Sequence, residues 1–132
     1  MKIGLIGAGR LGICLALLIE KAGYKVLASD NRVDYIENLQ KGIIDTAEPE
    51  VQQYLSNANN IEFTTDNTRV IAECDLIFTL VATPSLKDGS YDVSAVWKVI
   101  NDFKDIPILL DDKSLVIGCT TCLLYTSPSP RD

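Results

Sequence analysis

The stretch Lys2-Ile-Gly-Leu-Ile-Gly-Ala-Gly-Arg-Leu-Gly12 decides the fold of this chain. In it a short apolar strand runs into glycines at positions 7, 9 and 12, and an apolar helix over residues 10–22 follows at once. In this spacing the first glycine makes a tight turn, the second lets the backbone approach a pyrophosphate, and the third lets helix and strand pack closely. The pattern predicts a dinucleotide-binding loop formed by Gly7, Gly9, Arg10, Leu11 and Gly12. A glycine-rich turn in another α/β protein is the alternative.

The second apolar strand, over residues 25–29, ends in an acidic residue eighteen positions after Gly12. A carboxylate at that place, here Asp30, can accept hydrogen bonds from the adenosine ribose hydroxyls and repels a 2′-phosphate. This favours NAD over NADP as the cofactor. Arg32 is the feature that argues the other way, because NADP sites use a nearby arginine.

Strands and helices alternate along the chain. Strands are predicted over residues 2–6, 25–29, 61–64, 76–81 and 114–118, and helices over residues 10–22, 33–41, 50–56, 66–73 and 93–103, with Asp66 and Asp92 as the N-caps of the last two helices. Continuous apolar strands that alternate with amphipathic helices are typical of a parallel sheet covered on both faces. The predicted fold class is therefore α/β, with a doubly wound, Rossmann-type parallel sheet that is truncated.

The ligand site of such a sheet lies outside the carboxyl ends of its strands. Four segments follow predicted strands and are expected to meet there: residues 7–12, 30–32, 82–85 and 119–121. The predicted site therefore lies at one edge of the sheet and is assembled from distant parts of the chain.

Composition excludes several classes of function. The net charge is −6, which argues against a nucleic-acid partner. The longest apolar run, over residues 11–19, is too short to span a bilayer, and no signal peptide is expected because Met1 leads directly into a predicted strand. The chain has no histidine, so His-based zinc sites and Ser–His or Cys–His catalysis are excluded within it. A cytoplasmic protein with no membrane partner is expected.

Three of the four cysteines show no metal-binding spacing. Cys122 belongs to the adapter-like tail described below, and the remaining Cys14, Cys74 and Cys119 are far apart, lie in apolar segments and form no C-x-x-C pair with one another. We predict buried free thiols and no metal site.

The end of the chain differs from the rest. Residues 122–132 read Cys-Leu-Leu-Tyr-Thr-Ser-Pro-Ser-Pro-Arg-Asp and resemble, in one reading frame, the translation of a transposase adapter used to build sequencing libraries. Such segments are excluded from fold reasoning. We predict an NAD-binding domain of an incomplete parent over residues 1–121, followed by a non-native tail over residues 122–132. A genuine Ser/Pro-rich tail is the alternative.

A loop in the second half of the chain carries a family resemblance. The stretch Val81-Ala-Thr-Pro-Ser-Leu-Lys-Asp-Gly-Ser-Tyr-Asp-Val-Ser-Ala-Val96 resembles the V-P-T-P-x-x-x-D-G-S-x-D-x-S-x-V signature of the UDP-glucose/GDP-mannose dehydrogenase family. The segments Gly42-Ile-Ile-Asp-Thr-Ala-Glu-Pro49 and Leu115-Val-Ile-Gly-Cys-Thr120 resemble two further elements of that family. The resemblance covers residues 1–121 in order.

The resemblance implies an NAD-dependent enzyme of polysaccharide biosynthesis that oxidises the C6 alcohol of a UDP- or GDP-sugar to the carboxylate. Two hydrides go to two successive NAD molecules, through an aldehyde held as a thiohemiacetal on a cysteine. In the family that cysteine and the catalytic lysine, glutamate and asparagine lie further along than this chain reaches. A homo-oligomeric parent is expected, and this chain alone is expected to bind NAD weakly without turnover.

The resemblance also assigns roles to residues of this chain. Thr83 matches a threonine beside the nicotinamide-side ribose, and Thr120 matches one that contacts NAD and helps position a water near the reacting centre. A basic residue that usually helps at the adenosine end is replaced by Tyr35, and Arg32 could substitute for it from the same turn. Cys119 stands where serine is usual and is not expected to be the nucleophile. For Thr83 and Thr120 an ordinary structural role at a strand end is the alternative.

Two other functions stay open at this point. One is a stand-alone, non-catalytic NAD-binding module, which requires the reading frame to end at Asp132. The other is a Rossmann dehydrogenase of the 6-phosphogluconate or hydroxyacid type, against which the Thr83–Val96 loop argues. The nucleotide sugar stays undetermined among UDP-glucose, UDP-N-acetyl-mannosamine and GDP-mannose.

Overall fold

A single parallel sheet organises the molecule. The computed structural model describes residues 1–46, 48–104 and 113–118. The strands in these ranges are β1 (Lys2–Ile6), β2 (Lys25–Ser29), β3 (Ile61–Thr64), β4 (Leu76–Thr79) and β5 (Ser114–Ile117). Their order is β3-β2-β1-β4-β5, and every neighbouring pair is parallel. The predicted doubly wound α/β fold is confirmed.

Helices connect the strands as the sequence pattern predicts. They are α1 (Arg10–Lys21), α2 (Val33–Gln40), α3 (Pro49–Asn57), α4 (Asn67–Glu73) and α5 (Ser94–Lys104). The main difference lies in β4, which ends at Thr79 rather than at Val81. The Leu80 N–H still donates to the Ile6 carbonyl oxygen over 2.8 Å, and the chain then leaves the sheet. Among the described residues no helix is both long and apolar enough to cross a membrane.

Both faces of the sheet are covered by a hydrophobic core. Successive strand residues point to opposite faces, so Leu5 and Ile6 of β1 enter different cores. The first core joins the sheet to α1, α2 and α3 and contains Leu5, Ala8, Ile13, Ala16, Leu17, Val26, Ala28, Ile36, Leu39, Val51, Leu55 and Phe63. The second core joins it to α4 and α5 and contains Ile6, Leu27, Val70, Ile71, Cys74, Ile77 and Val99.

Helix α4 is fixed at both ends by polar contacts. Asp66, predicted as the N-cap, accepts a hydrogen bond from the Thr68 N–H at 3.0 Å. At the other end Lys113 Nζ donates to the carbonyl oxygens of Ala72 and Cys74, at 3.1 and 2.8 Å. Lysine near a helix C-terminus satisfies carbonyls that have no partner within the helix. The lysine also ties the start of β5 to α4.

The two cysteines that the structure describes are free thiols, as predicted, but only Cys74 is buried; the predicted burial of Cys14 was wrong, because its side chain is partly exposed on α1. Cys74 is buried between α4 and the sheet, and burial raises the pKa of its thiol to about 11. Cys14 is half-buried on α1, and burial, with a smaller effect of Glu48, raises the pKa of its thiol as well. Cys119 lies outside the described residues.

The strand order creates a switch point next to β1. After β1 the chain runs through α1 to β2 and then to β3 on one side; it returns through α4 to β4 on the other side. Connections that leave β1 and β4 therefore diverge at their carboxyl ends, which is where open α/β sheets bind ligands. The glycine loop follows β1 at this point.

Candidate functional site

Two positions of the glycine loop accept only glycine. Gly7 has a φ of 98°, and a Cβ there would lie 2.7 Å from the carbonyl carbon and oxygen of Leu80. A Cβ at Gly12 would overlap the carbonyl oxygen of Gly7. The N–H groups of Gly7 and Ala8 both donate to the Ser29 carbonyl oxygen, at 2.8 and 3.1 Å. The loop is thus held between the ends of β2 and β4.

Gly9 lies instead beneath open space. A Cβ at this position would meet only Arg32 Nη2, at 3.9 Å. Gly9 is also the N-cap of α1, and no side chain of the described residues bonds to that cap. The first N–H groups of the helix are therefore available to an anion, which the helix dipole favours. A loop that is bare at its centre and backed by free N–H groups fits the pyrophosphate of NAD.

A crevice of about 150 Å³ opens beside the loop. One wall is residues 9–12, which include the exposed Arg10 and Leu11, and the other wall is residues 80–82 together with Gly118. A larger open groove of about 660 Å³ lies along β3 between α2 and α3. The crevice is the better candidate site, because it lies at the switch point and contains the glycine loop, whereas the groove lies at the outer edge of the sheet.

Asp30 lies at the end of β2, is 9% exposed, and is bound by Arg32. Its Oδ1 accepts hydrogen bonds from the Arg32 backbone N–H at 3.0 Å and from Nε at 2.8 Å. Its Oδ2 accepts one from Nη2 at 3.0 Å. A carboxylate has about four lone-pair sites, so Asp30 keeps acceptor capacity for a ribose hydroxyl.

This pairing sets the charge of the site. Burial acts to raise the pKa of Asp30, but the hydrogen bonds and the charge of Arg32 outweigh it and hold that pKa below its usual value. The hydrogen bond to Asp30 in turn raises the pKa of Arg32. The carboxylate is therefore ionised and the guanidinium charged at neutral pH, and they carry no net charge as a pair.

Tyr35, on the first turn of α2, contacts both Arg32 and the glycine loop. Its ring lies under the Arg32 guanidinium, with 4.1 Å between the guanidinium carbon and the ring centroid. Its hydroxyl donates a hydrogen bond to the Ala8 carbonyl oxygen at 2.5 Å. The phenol is half-buried, and burial raises its pKa although Arg32 acts in the opposite direction.

The loop after β4 is ordered by its own polar residues. Thr83 is 9% exposed, and the Asp92 N–H donates to the Pro84 carbonyl oxygen at 2.8 Å. The Ser90 N–H and hydroxyl donate to Asp88 Oδ1, at 3.0 and 2.6 Å, so the Asp88-Gly89 pair forms a turn. This loop has a defined shape, and its first residues form one wall of the crevice.

The structure brings three of the four predicted segments to one edge of the sheet, and the fourth, residues 119–121, lies outside the described residues. Gly7, Gly9, Arg10, Leu11 and Gly12 form the loop, Asp30 and Arg32 pair beside Gly9, and Thr83 follows the crevice wall. Thr120 lies outside the described residues, as does Cys119, so the position predicted for each stays a prediction. Among the described residues no cluster of His, Cys, Asp and Glu could hold a metal ion.

The contacts of Tyr35 with Ala8 and Arg32 were not predicted from the sequence, in which Tyr35 is only a departure from a basic residue. An aromatic residue five positions after the acid that ends β2 is the signal that was available. The contact itself depends on where α2 lies relative to the glycine loop.

Comparison with known proteins agrees with this geometry. The sequence profile of the UDP-glucose/GDP-mannose dehydrogenase family, NAD binding domain, matches residues 1–129. UDP-glucose 6-dehydrogenase of Rhizobium meliloti (strain 1021) is 33% identical over 101 residues, which are 74% of this chain and 23% of that protein. UDP-glucose 6-dehydrogenase of Rickettsia felis is 27% identical over 133 residues, which are 95% of this chain and 30% of that protein.

Among solved structures, a ternary complex of GDP-mannose dehydrogenase from Pseudomonas aeruginosa superposes with a TM-score of 0.85. The match covers 92% of this chain and 29% of that chain at 23% identity, so it supports the fold. The chain spans less than a third of the length of each of these relatives. The profile match, which covers nearly the whole chain, shows that the chain belongs to the UDP-glucose/GDP-mannose dehydrogenase family and contains its NAD-binding domain.

Proposed function

We propose that this chain is the cofactor half of a nucleotide-sugar 6-dehydrogenase, an enzyme that oxidises the C6 alcohol of a UDP- or GDP-sugar to the carboxylate with two NAD. The observation that carries the proposal is the crevice at the switch point, walled by the family's glycine loop on one side and by the start of the Thr83 loop on the other. UDP-glucose is the first substrate to test, because the two relatives compared above bear that name.

In this proposal each described residue has a definite task toward NAD. The N–H groups of Arg10, Leu11 and Gly12 bind the pyrophosphate over the bare surface of Gly9. Asp30 accepts a hydrogen bond from one adenosine ribose hydroxyl at the acceptor site that the three hydrogen bonds from Arg32 leave free.

At the other end of the cofactor, Thr83 lies on the nicotinamide side, and Thr120 contributes as the resemblance implies. NAD, when bound, supplies the hydride acceptor. The sugar site, the homo-oligomer and the cytoplasmic location of the enzyme belong to the same proposal.

Replacing Gly9 by alanine tests where the cofactor lies. The new methyl group meets no protein atom closer than 3.9 Å, so Gly9→Ala should fold like the wild type. The methyl would occupy the space that the pyrophosphate needs. We expect calorimetric titration with NAD to show binding to the wild-type chain and at least a tenfold weaker binding to Gly9→Ala, with an unchanged urea midpoint. Equal NAD affinities would contradict this placement.

Sequencing the source locus across codon 121 without a transposase-based library tests the parent enzyme. We expect the frame to continue into a glycine-rich segment with a cysteine followed by Pro-Lys-Asp. The full-length product should then reduce NAD in the presence of UDP-glucose, or of GDP-mannose or UDP-N-acetyl-mannosamine. A stop codon after Asp132 in the genomic sequence would favour a stand-alone NAD-binding module. The 132-residue chain alone should give no NADH with any of these sugars.

A further inference from the structure

Tyr35 is the residue that links the two halves of the cofactor site. Its hydroxyl bonds to Ala8, in the middle of the glycine loop, and its ring supports Arg32, at the adenosine end. Both contacts come from a residue on α2, which is itself packed into the first core through Ile36 and Leu39. A shift of α2 would therefore be felt at both ends of the site.

The first contact fixes the peptide groups of the loop. The Ala8 N–H donates to Ser29, and the Ala8 carbonyl oxygen accepts from Tyr35. The peptide units on either side of Ala8 are thereby each held by a hydrogen bond, next to Gly9. An N–H group that binds a phosphate contributes most when its direction is set before the ligand arrives. The hydrogen bond from Tyr35 to Ala8, here called the tether, thus sets the orientation of the glycine loop beneath the pyrophosphate.

The second contact fixes the position of the arginine. Arg32 directs Nε and Nη2 at Asp30 and lays its flat face on the Tyr35 ring. Its side chain is still half-exposed, so the pair with Asp30 alone would leave it considerable freedom. An arginine that is free at this turn can bind a 2′-phosphate. The Tyr35 ring keeps Arg32 turned toward Asp30 instead.

We propose that Tyr35 is a positioning residue that orients the glycine loop through Ala8 and discriminates against NADP by holding Arg32 on Asp30. This inference rests on the proposed placement of NAD over Gly9. It predicts that two substitutions of the same residue have different effects, because one removes only the hydroxyl and the other removes the ring as well.

Two variants separate the two contacts. Tyr35→Phe keeps the ring and loses the hydroxyl, so its NAD and NADP affinities should both fall by about fivefold, the effect of one hydrogen bond. Tyr35→Leu also releases Arg32, so its ratio of NADP to NAD dissociation constants should drop by about two- to fivefold relative to Tyr35→Phe, the range of a cation–π contact. Calorimetric titration of the 132-residue chain with each cofactor measures both.

Tyr54 provides a matched control. Its ring also carries a cation, Lys21 Nζ at 4.5 Å from the centroid, but this pair lies at the far end of α1 from the glycine loop. Tyr54→Phe and Tyr54→Leu should leave both cofactor affinities unchanged. Far-ultraviolet circular dichroism verifies that all four variants fold.

The outcomes distinguish the inference from the function beneath it. An NAD affinity of Tyr35→Phe equal to the wild type would overturn the tether, and equal NADP-to-NAD ratios in Tyr35→Phe and Tyr35→Leu would overturn the hold on Arg32. If the wild-type chain bound no NAD at all, the placement of the cofactor would fail and this inference with it. If the wild-type chain bound NAD but both Tyr35 variants kept its NAD affinity and its NADP-to-NAD ratio, the inference about Tyr35 would be overturned. The proposed placement of NAD would then still hold.

Discussion

At the scale of single residues, Asp30 shows how a partner determines the chemistry of a site. A buried carboxylate is costly without hydrogen bonds, and Arg32 supplies three of them, one from its backbone and two from its guanidinium. The same contacts that keep the acid ionised also hold the arginine on Asp30, with its Nη2 beside Gly9. An acid and an arginine that point to different cofactors in the sequence thus form one neutral pair in the structure.

This pair should make folding stability depend on pH. Arg32 holds the pKa of Asp30 in the folded chain below the ordinary value of 3.8, so the stability it contributes is present above that value and is lost as the pH falls through the folded pKa. Asp30→Asn should therefore lower the urea midpoint at neutral pH and flatten its decline below pH 3.8. The exposed Asp45, which lies outside the helices and strands, provides the control, since Asp45→Asn should keep the wild-type decline. Parallel curves for Asp30→Asn and the wild type would contradict the pairing.

At the scale of secondary-structure elements, the contact between β1 and α4 explains a glycine outside the cofactor loop. Gly4 lies in the middle of the central strand, where a side chain would ordinarily strengthen the sheet. A Cβ there would lie 2.6 Å from Val70 Cγ1 and 2.9 Å from Cys74 Cβ, both buried on α4. The missing side chain lets α4 lie close against the sheet.

Gly4→Ala should therefore destabilise the fold although alanine is not strained at this position of a strand. Overpacking of this kind costs about 1–3 kcal/mol, measured as a lower urea midpoint with an unchanged slope. Gly9→Ala is a suitable control, because its added methyl group meets no atom closer than 3.9 Å and should leave the midpoint unchanged. An unchanged midpoint for Gly4→Ala would mean that α4 can move away from β1 at no cost.

At the scale of the whole molecule, the sheet is shared by two cores on its opposite faces. β1 contributes Leu5 to one and Ile6 to the other, and β2 likewise contributes Ala28 and Leu27. Unfolding of either core would expose β1 and β2 on one face, and the other core contains residues of the same two strands. The cofactor site lies at the end of β1 and so depends on both.

We therefore expect a single unfolding transition. Trp97, the only tryptophan, is half-exposed on α5, the helix that joins the second core through Val99, whereas circular dichroism reports on all helices. The two signals should change at the same temperature. NAD at a hundred times its dissociation constant should raise the free energy of unfolding by about 2.7 kcal/mol and Tm by roughly 10 °C in both signals. An earlier fluorescence change would show that α5 unfolds separately from the first core.

Much of this protein follows from local patterns in its sequence. Strict apolar runs and helix signals predict each described strand and helix to within about two residues, because burial on both faces requires such runs. The glycine spacing locates the cofactor loop, since no side chain fits at Gly7 or Gly12. The Thr83–Val96 loop points to the family that the profile match shows.

What the tertiary structure alone decided is how these parts meet. Whether Arg32 faces a cofactor or Asp30 depends on the position of the Tyr35 ring, which the packing of α2 against the first core sets. The lack of a side chain at Gly4 is explained only by the close packing of α4 against β1, and α4 begins sixty-three positions later in the chain. Periodicity and turn chemistry are local and can be found in a sequence, whereas contacts between distant elements depend on how those elements pack.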